Sequence, residues 1–171
     1  MHSLIRKQIL PMSLDQAWEF FSSLHNLGKI TPPSMNFQIT SDVPKGKIYP
    51  GIIITYKVSP LLAIPINWVT EITQVKEKEY FVDSQLYGPY HFWHHEHWFQ
   101  PSDGGVLMTD ILHYAAPFGP VGALAEWSFV NKKVNYIFDY RQQYGQFERL
   151  EKERLNREHK TRNRNNRSGC T

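Results

Sequence analysis

The chain has a single cysteine, Cys170, among 171 residues. A disulfide framework is thereby excluded, and no catalytic partner neighbours that thiol. No segment approaches the run of about 18 apolar residues needed to cross a bilayer, and the N-terminus "MHSLIRKQIL" lacks the apolar core of a signal peptide. A soluble, cytoplasmic protein is therefore expected. No glycine-rich phosphate loop is present, and Ser13, Ser22 and Ser23 stand in no G-x-S-x-G setting, so nucleophilic serine chemistry is unsupported. Basic charge is also scarce where it would matter. The net charge of +3 arises from residues 151–171, "EKERLNREHKTRNRNNRSGCT", which hold seven Lys/Arg against three Asp/Glu, whereas residues 1–150 carry 12 against 13. That tail is expected to be a solvated helix end running into a disordered terminus, with a tether or partner-binding role as the alternative. The body shows no interleaving of basic and aromatic residues, so no nucleic-acid partner is expected.

What the sequence does have is aromatic residues, at 14% of the chain, and an ordinary apolar content of 41%. Its length suits one domain, taken as residues 1–150. The alternating run "SLIRKQIL" predicts a first strand ending at Pro11. Ser13 and Gln16 form a capping box, opening a helix whose apolar face is Leu14, Ala17, Trp18 and Phe21. "LHNLGKITPPS" has room for one more short helix. Strand signals then follow near 36–41, 51–58, 66–75, 79–86, 91–100 and 106–116, too closely spaced for crossover helices, which predicts an antiparallel meander. Beyond "PFGPVG" the period becomes helical, with a stripe of Leu124, Trp127, Val130, Val134, Ile137, Phe138, Tyr144 and Phe147. The layout is α+β, and the long final helix is the only large apolar partner available to the sheet.

This outline, with "GPYHFWHHEHWFQPSDGG", "MTDILHYAAPFGPVG" and "IFDYR", resembles the START-like (SRPBCC) helix-grip superfamily, and within it the small bacterial ligand-binding, polyketide-cyclase-like proteins. The resemblance covers about residues 2–148. It implies a curved sheet of about seven strands wrapped around the C-terminal helix, a cavity between them, and neither metal nor cofactor. Because carriers, receptors, cyclases and hydrolases share this fold, the resemblance does not choose an activity.

In a meander, successive loops alternate between the two ends of the sheet. One end receives "VPKGKIYP", "VKEKE" and "PSDGG", all polar. The other receives "SPLLAIP", "LYGPY" and "APFGPVG", which are apolar, aromatic and rich in proline. Such loops either plug that end or rim an apolar mouth, and the gating loops of the resembled superfamily lie there. The second reading predicts a hydrophobic or aromatic small-molecule partner, with Leu62, Tyr87 and Phe118 at the mouth.

Residues 91–99, "HFWHHEHWF", hold four histidines, four other aromatics and one carboxylate. On a strand, Trp93, His95, His97 and Phe99 share one face, and Phe92, His94, Glu96 and Trp98 the other. Glu96 marks the wetter face. Pairing with "VLMTDILHYAA" in an even-sum register would oppose Glu96 to Asp110, two like charges. Odd sums oppose Asp110 to His95 or His97, on the face of Met108, Leu112 and Tyr114, and that register is expected. His94 and His113 then face outward.

Three readings of the inward set remain open. It can be a hydrogen-bonded structural network that also orients a ligand. It can be an acid–base pair, with Asp110 holding His95 or His97 for cyclisation or dehydration. It can be a His-x-His metal chelate with Asp110 as third ligand, although a distant fourth ligand is lacking. The expected ligand-contacting set is Trp93, His95, His97, Asp110, Tyr114 and Phe138 with the three mouth residues. Glu71 joins it if its side chain points inward. Arg141 could meet Asp110, Glu71 or a ligand carboxylate, but extension to solvent is the preferred expectation. The oligomeric state is not legible.

Overall fold

The computed structural model describes residues 1–42, 47–61, 64–115 and 130–144. The chain opens with β1 (His2–Leu10), then α1 (Leu14–Phe21) and two 3-10 turns at Leu24–Asn26 and Pro33–Met35. Six strands follow: β2 (Gln38–Ile39), β3 (Ile53–Leu61), β4 (Ile64–Lys76), β5 (Tyr80–Tyr87), β6 (Phe92–Ser102) and β7 (Gly105–Ala115). Residues 130–144 form a helix, α2. The strands make one antiparallel sheet in the order β1-β7-β6-β5-β4-β3-β2, so the first strand closes the edge beside the last.

Local signals account for most element ends. The Ser13 hydroxyl accepts a hydrogen bond from the Gln16 amide, and the Gln16 side chain returns one from the Ser13 amide, so the predicted capping box starts α1. β2 is shorter than the predicted 36–41. Pro33 opens a 3-10 turn that Asn36 closes in the left-handed region at φ 45°, leaving only two residues to pair. The β6–β7 hairpin turns through Asp103-Gly104, with Ser102 opposite Gly105 and Gly104 at φ 86°, a left-handed conformation that glycine adopts without steric cost. Register shifts at Val69/Thr70 and Ile72/Gln74 interrupt the β4–β5 ladder, and such bulges bend a strand and increase its twist.

The inner face carries two apolar clusters. Leu10, Trp18, Phe81, Phe99, Val106 and Met108 gather under α1. Trp68, Trp93, Leu112 and Tyr114 gather with Val134 and Phe138 of α2, so the described part of the terminal helix does cover the sheet. Leu124, Trp127 and Phe147 of the predicted stripe lie outside the described residues, as does the 151–171 tail. On the outer face Trp98 lies over Tyr80, ring centroids 4.5 Å apart, and donates to Glu96 at 2.7 Å. An outward tryptophan is thus consistent with the expected strand orientation. Among the described residues no helix is long and apolar enough to cross a membrane.

Candidate functional site

Between the two apolar clusters the same strand face turns polar. β6 reads Trp93, His95, His97, Phe99 inward, and β7 reads Tyr114, Leu112, Asp110, Met108. His97 lies directly opposite Asp110 in the ladder, one of the two registers expected from avoidance of the Glu96–Asp110 clash. β5 adds Asp83, directly opposite His95. All four side chains are largely buried, and α2 lowers Arg141 onto them.

The four groups form a closed ring. His95 Nε2 donates to Asp110 Oδ1 at 2.9 Å, and its Nδ1 lies 3.5 Å from Asp83 Oδ2. His97 Nε2 donates to the same Asp83 oxygen at 2.8 Å. Its Nδ1 lies 3.2 Å from Asp110 Oδ1 without an aligned hydrogen bond. Each imidazole therefore presents both nitrogens to the two carboxylates. Arg141 Nη1 donates to Asp110 Oδ1 at 3.4 Å, and Trp93 Nε1 donates to Asp83 Oδ1 at 3.3 Å. Rings hold the imidazoles in place: Phe81 stacks on His97 at 4.0 Å between centroids, and Phe138 meets His95 edge-on at 5.3 Å.

Burial and the neighbouring charges push these groups apart in proton affinity. Desolvation opposes ionisation of Asp110, but the hydrogen bond from His95, the close approach of His97 and the Arg141 charge outweigh it and hold its carboxyl well below the usual range. Asp83 is likewise lowered, burial being overcome by the His97 hydrogen bond and the nearby cations. His95 is pushed down to about 4, first by burial and then by the charge of His97. His97 is also penalised by burial, yet its two carboxylate partners raise it above its ordinary value. The two buried carboxylates are thus faced by a guanidinium and by an imidazole whose protonated form they favour, which is how such groups reduce the cost of isolated buried charge.

Beside the ring lies a pocket of about 120 Å³. Asp83, His95, His97 and Arg141 form its polar wall, and Met35, Tyr56, Trp68 and Trp93 are among its apolar and aromatic lining. Tyr56 donates toward or accepts from Thr70 at 2.8 Å, and burial raises its phenol strongly. Two buried N–H groups of lining residues, Trp68 Nε1 and Arg141 Nε, have no hydrogen-bond partner among the described residues.

No family model and no curated protein matches the sequence itself. Solved structures do match in shape. A START superfamily protein from Mycobacterium smegmatis superposes with a TM-score of 0.64, covering 88% of this chain and 99% of its own at 12% identity. Protein Ms6760 from Mycobacterium smegmatis gives 0.62, with 83% and 87% covered at 19% identity. Ara h 8.0201 gives 0.57, with 84% and 97% covered at 12% identity. The fold is the START-like helix grip. Identities this low carry the fold and no activity.

Within this helix grip, the expected site residues separate. Trp93, His95 and His97 line the pocket. Asp110 lies behind the histidines, 1% exposed and not part of the lining. Tyr114 is buried and donates to Asn131 at 3.3 Å, and Phe138 packs on His95; neither lines the pocket. Tyr87 is 64% exposed at the end of β5 and is also absent from the lining. Leu62 and Phe118 fall outside the described residues. Glu71 is corrected: it sits between the inward Thr70 and Ile72, so strand alternation turns it to the outer face opposite Ile53. Arg141 is corrected as well. It is buried, because two carboxylates within the core outweigh the solvation that would draw it out. His94 and His113 do face outward, half-buried, bonded to Ser84 and Ser3. The residue missed by sequence reasoning is Asp83. Its signal was a lone carboxylate in phase with Phe81 on a strand that pairs with the histidine strand.

Proposed function

We propose that the protein binds a small hydrophobic or aromatic molecule in this pocket, with a polar end of the ligand at the Asp83–His97–Arg141 wall. The observation that carries the reading is the position of the polar ring. Apolar residues of equal volume would stabilise a sealed core as well or better, so a buried ionic set is best explained where it meets an opening. Here it forms one wall of a pocket whose other walls are aromatic and aliphatic, the usual composition of a small-molecule site. The unpartnered Trp68 and Arg141 N–H groups favour a ligand that brings an oxygen acceptor. This reading takes residues 1–150 as the binding unit, working in the cytoplasm, with 151–171 as an appended basic tail.

A second reading is a cyclase- or dehydratase-type enzyme. It is favoured by one feature: His97 lies between two carboxylates and lines the pocket, where it could give a proton to a carbonyl or hydroxyl oxygen. His95 and Asp110 would set its orientation and charge. Thermal-shift screening with aromatic polyketides, fatty acids and sterols tests the binding claim. Stabilisation by at least one class is expected, and the absence of any shift across all three would defeat it. Chemical conversion of a stabilising compound, lost in Asp110→Asn while that variant still melts cooperatively, would favour the enzyme.

A further inference from the structure

We propose that Asp83, His95 and His97 form a binding site for a divalent transition-metal ion, with Asp110 as the carboxylate that orients both imidazoles. The three donor atoms lie within 4.8 Å of one another, and Nδ1 of His95 and Nε2 of His97 lie 3.5 and 2.8 Å from one Asp83 oxygen. Ligands at about 2.0–2.2 Å from a zinc-like ion stand roughly 3.3 Å apart, so small adjustments accommodate the ion.

The hydrogen-bonding pattern distinguishes this from an ordinary ion-pair cluster. The His95 proton is committed to Asp110 through Nε2. Its Nδ1 lone pair then faces the Asp83 carboxylate at 3.5 Å. Two acceptors opposed in a buried setting repel, and a cation between them removes the conflict. Asp110 meanwhile contacts the far nitrogen of each imidazole, at 2.9 and 3.2 Å, which is the carboxylate–histidine support that metal-binding imidazoles commonly have. Trp93 occupies the other Asp83 oxygen at 3.3 Å, and the ion would displace to solvent the proton that His97 Nε2 now donates to Oδ2.

The alternative placement, with Asp110 as the direct ligand, is disfavoured by charge and access. Arg141 already sits against Asp110 Oδ1 at 3.4 Å, and Asp110 does not reach the pocket. Asp83, His95 and His97 all do, so the ion would keep open positions toward the cavity for water or a ligand oxygen. The two-histidine, one-carboxylate set suits Zn²⁺, Fe²⁺ or Co²⁺ and not Mg²⁺ or Ca²⁺. Phe81, Phe138 and Trp93 around the imidazoles supply an apolar surround. The site stands whether or not the pocket takes an apolar molecule.

The test is titration of untagged, chelator-stripped protein with Co²⁺, followed by visible absorption and calorimetry. One equivalent is expected to bind at micromolar or tighter affinity with a d–d band of low coordination number. Asp83→Ala and His97→Gln are each expected to weaken binding at least 100-fold. Asp110→Asn should weaken it by about 10–100-fold, and His94→Ala on the outer face should leave it unchanged. Wild-type protein with no such band and no stoichiometric binding would overturn the proposal without reference to any variant. So would binding that survives Asp83→Ala or disappears in His94→Ala.

Discussion

Asp110 faces His97 across the β6–β7 ladder, yet its shorter contact is to His95, at 2.9 Å against 3.2 Å. A single carboxylate thus serves two imidazoles, and a second, Asp83, closes the ring from the next strand. The consequence is mutual dependence: removing Arg141 or either carboxylate leaves charge uncompensated in the core, and removing either imidazole leaves a carboxylate without its closest hydrogen-bond donor.

Arg141→Met tests that dependence. The substitution retains much of the side-chain volume and removes the only guanidinium in contact with Asp110 among the described residues. Loss of one partner of a buried charged set costs about 3–5 kcal/mol, to be read from urea unfolding. Adding Asp110→Asn should recover part of that loss, with a coupling of about 0.5–3 kcal/mol. Strict additivity would show that the two side chains do not interact.

The titrating groups of the metal-free protein predict a stability maximum near neutral pH. His95 titrates near 4 when folded and near 6.5 when unfolded. Between those values the unfolded state binds the extra proton, so stability falls as pH drops through that window. Asp83 and Asp110, both lowered, add a further loss below about pH 4. His97 is raised, so its contribution is complete below about 6.5 and declines as pH rises through its folded value. Urea midpoints measured in chelator from pH 4 to 9 should therefore peak near 6.5. His95→Gln should flatten the acid limb, and His97→Gln the alkaline limb.

The hairpin that sets the Asp110 register predicts a contrast between adjacent glycines. A Cβ on Gly105 would lie 2.0 Å from the Leu10 carbonyl oxygen, whereas one on Gly104 meets nothing within 4 Å. Both have positive φ, 143° and 86°. Gly104→Ala should cost about 1–2 kcal/mol for the left-handed backbone alone. Gly105→Ala should cost clearly more, because β1 must shift from β7 to relieve the overlap. Equal thermal destabilisation of the two variants would contradict the register described.

The legible parts of the molecule were those governed by short-range rules. Strand alternation and the avoided Glu96–Asp110 opposition oriented the histidine strand, and the Ser13–Gln16 pair located α1. Asp83 was not legible because β5 and β6 join through "LYGPYH", with no tight two-residue turn to fix which residues face each other. Arg141 was misjudged because a helix carries no record of which strand it will cross. Its burial depends on two carboxylates contributed by β5 and β7. Glu71 was undecidable in "INWVTEI", where apolar residues occupy both alternating faces. Only the placement of Trp68, Thr70 and Ile72 against the core resolves it.

The central claim, a ligand seated against the polar wall, is tested most directly by a crystal structure with the compound that gives the largest thermal shift. The account predicts electron density between Trp68 and Trp93, with an oxygen of the compound within hydrogen-bond distance of Arg141 or His97. Density confined to the outer face of the sheet, with the pocket closed by its own side chains, would contradict it.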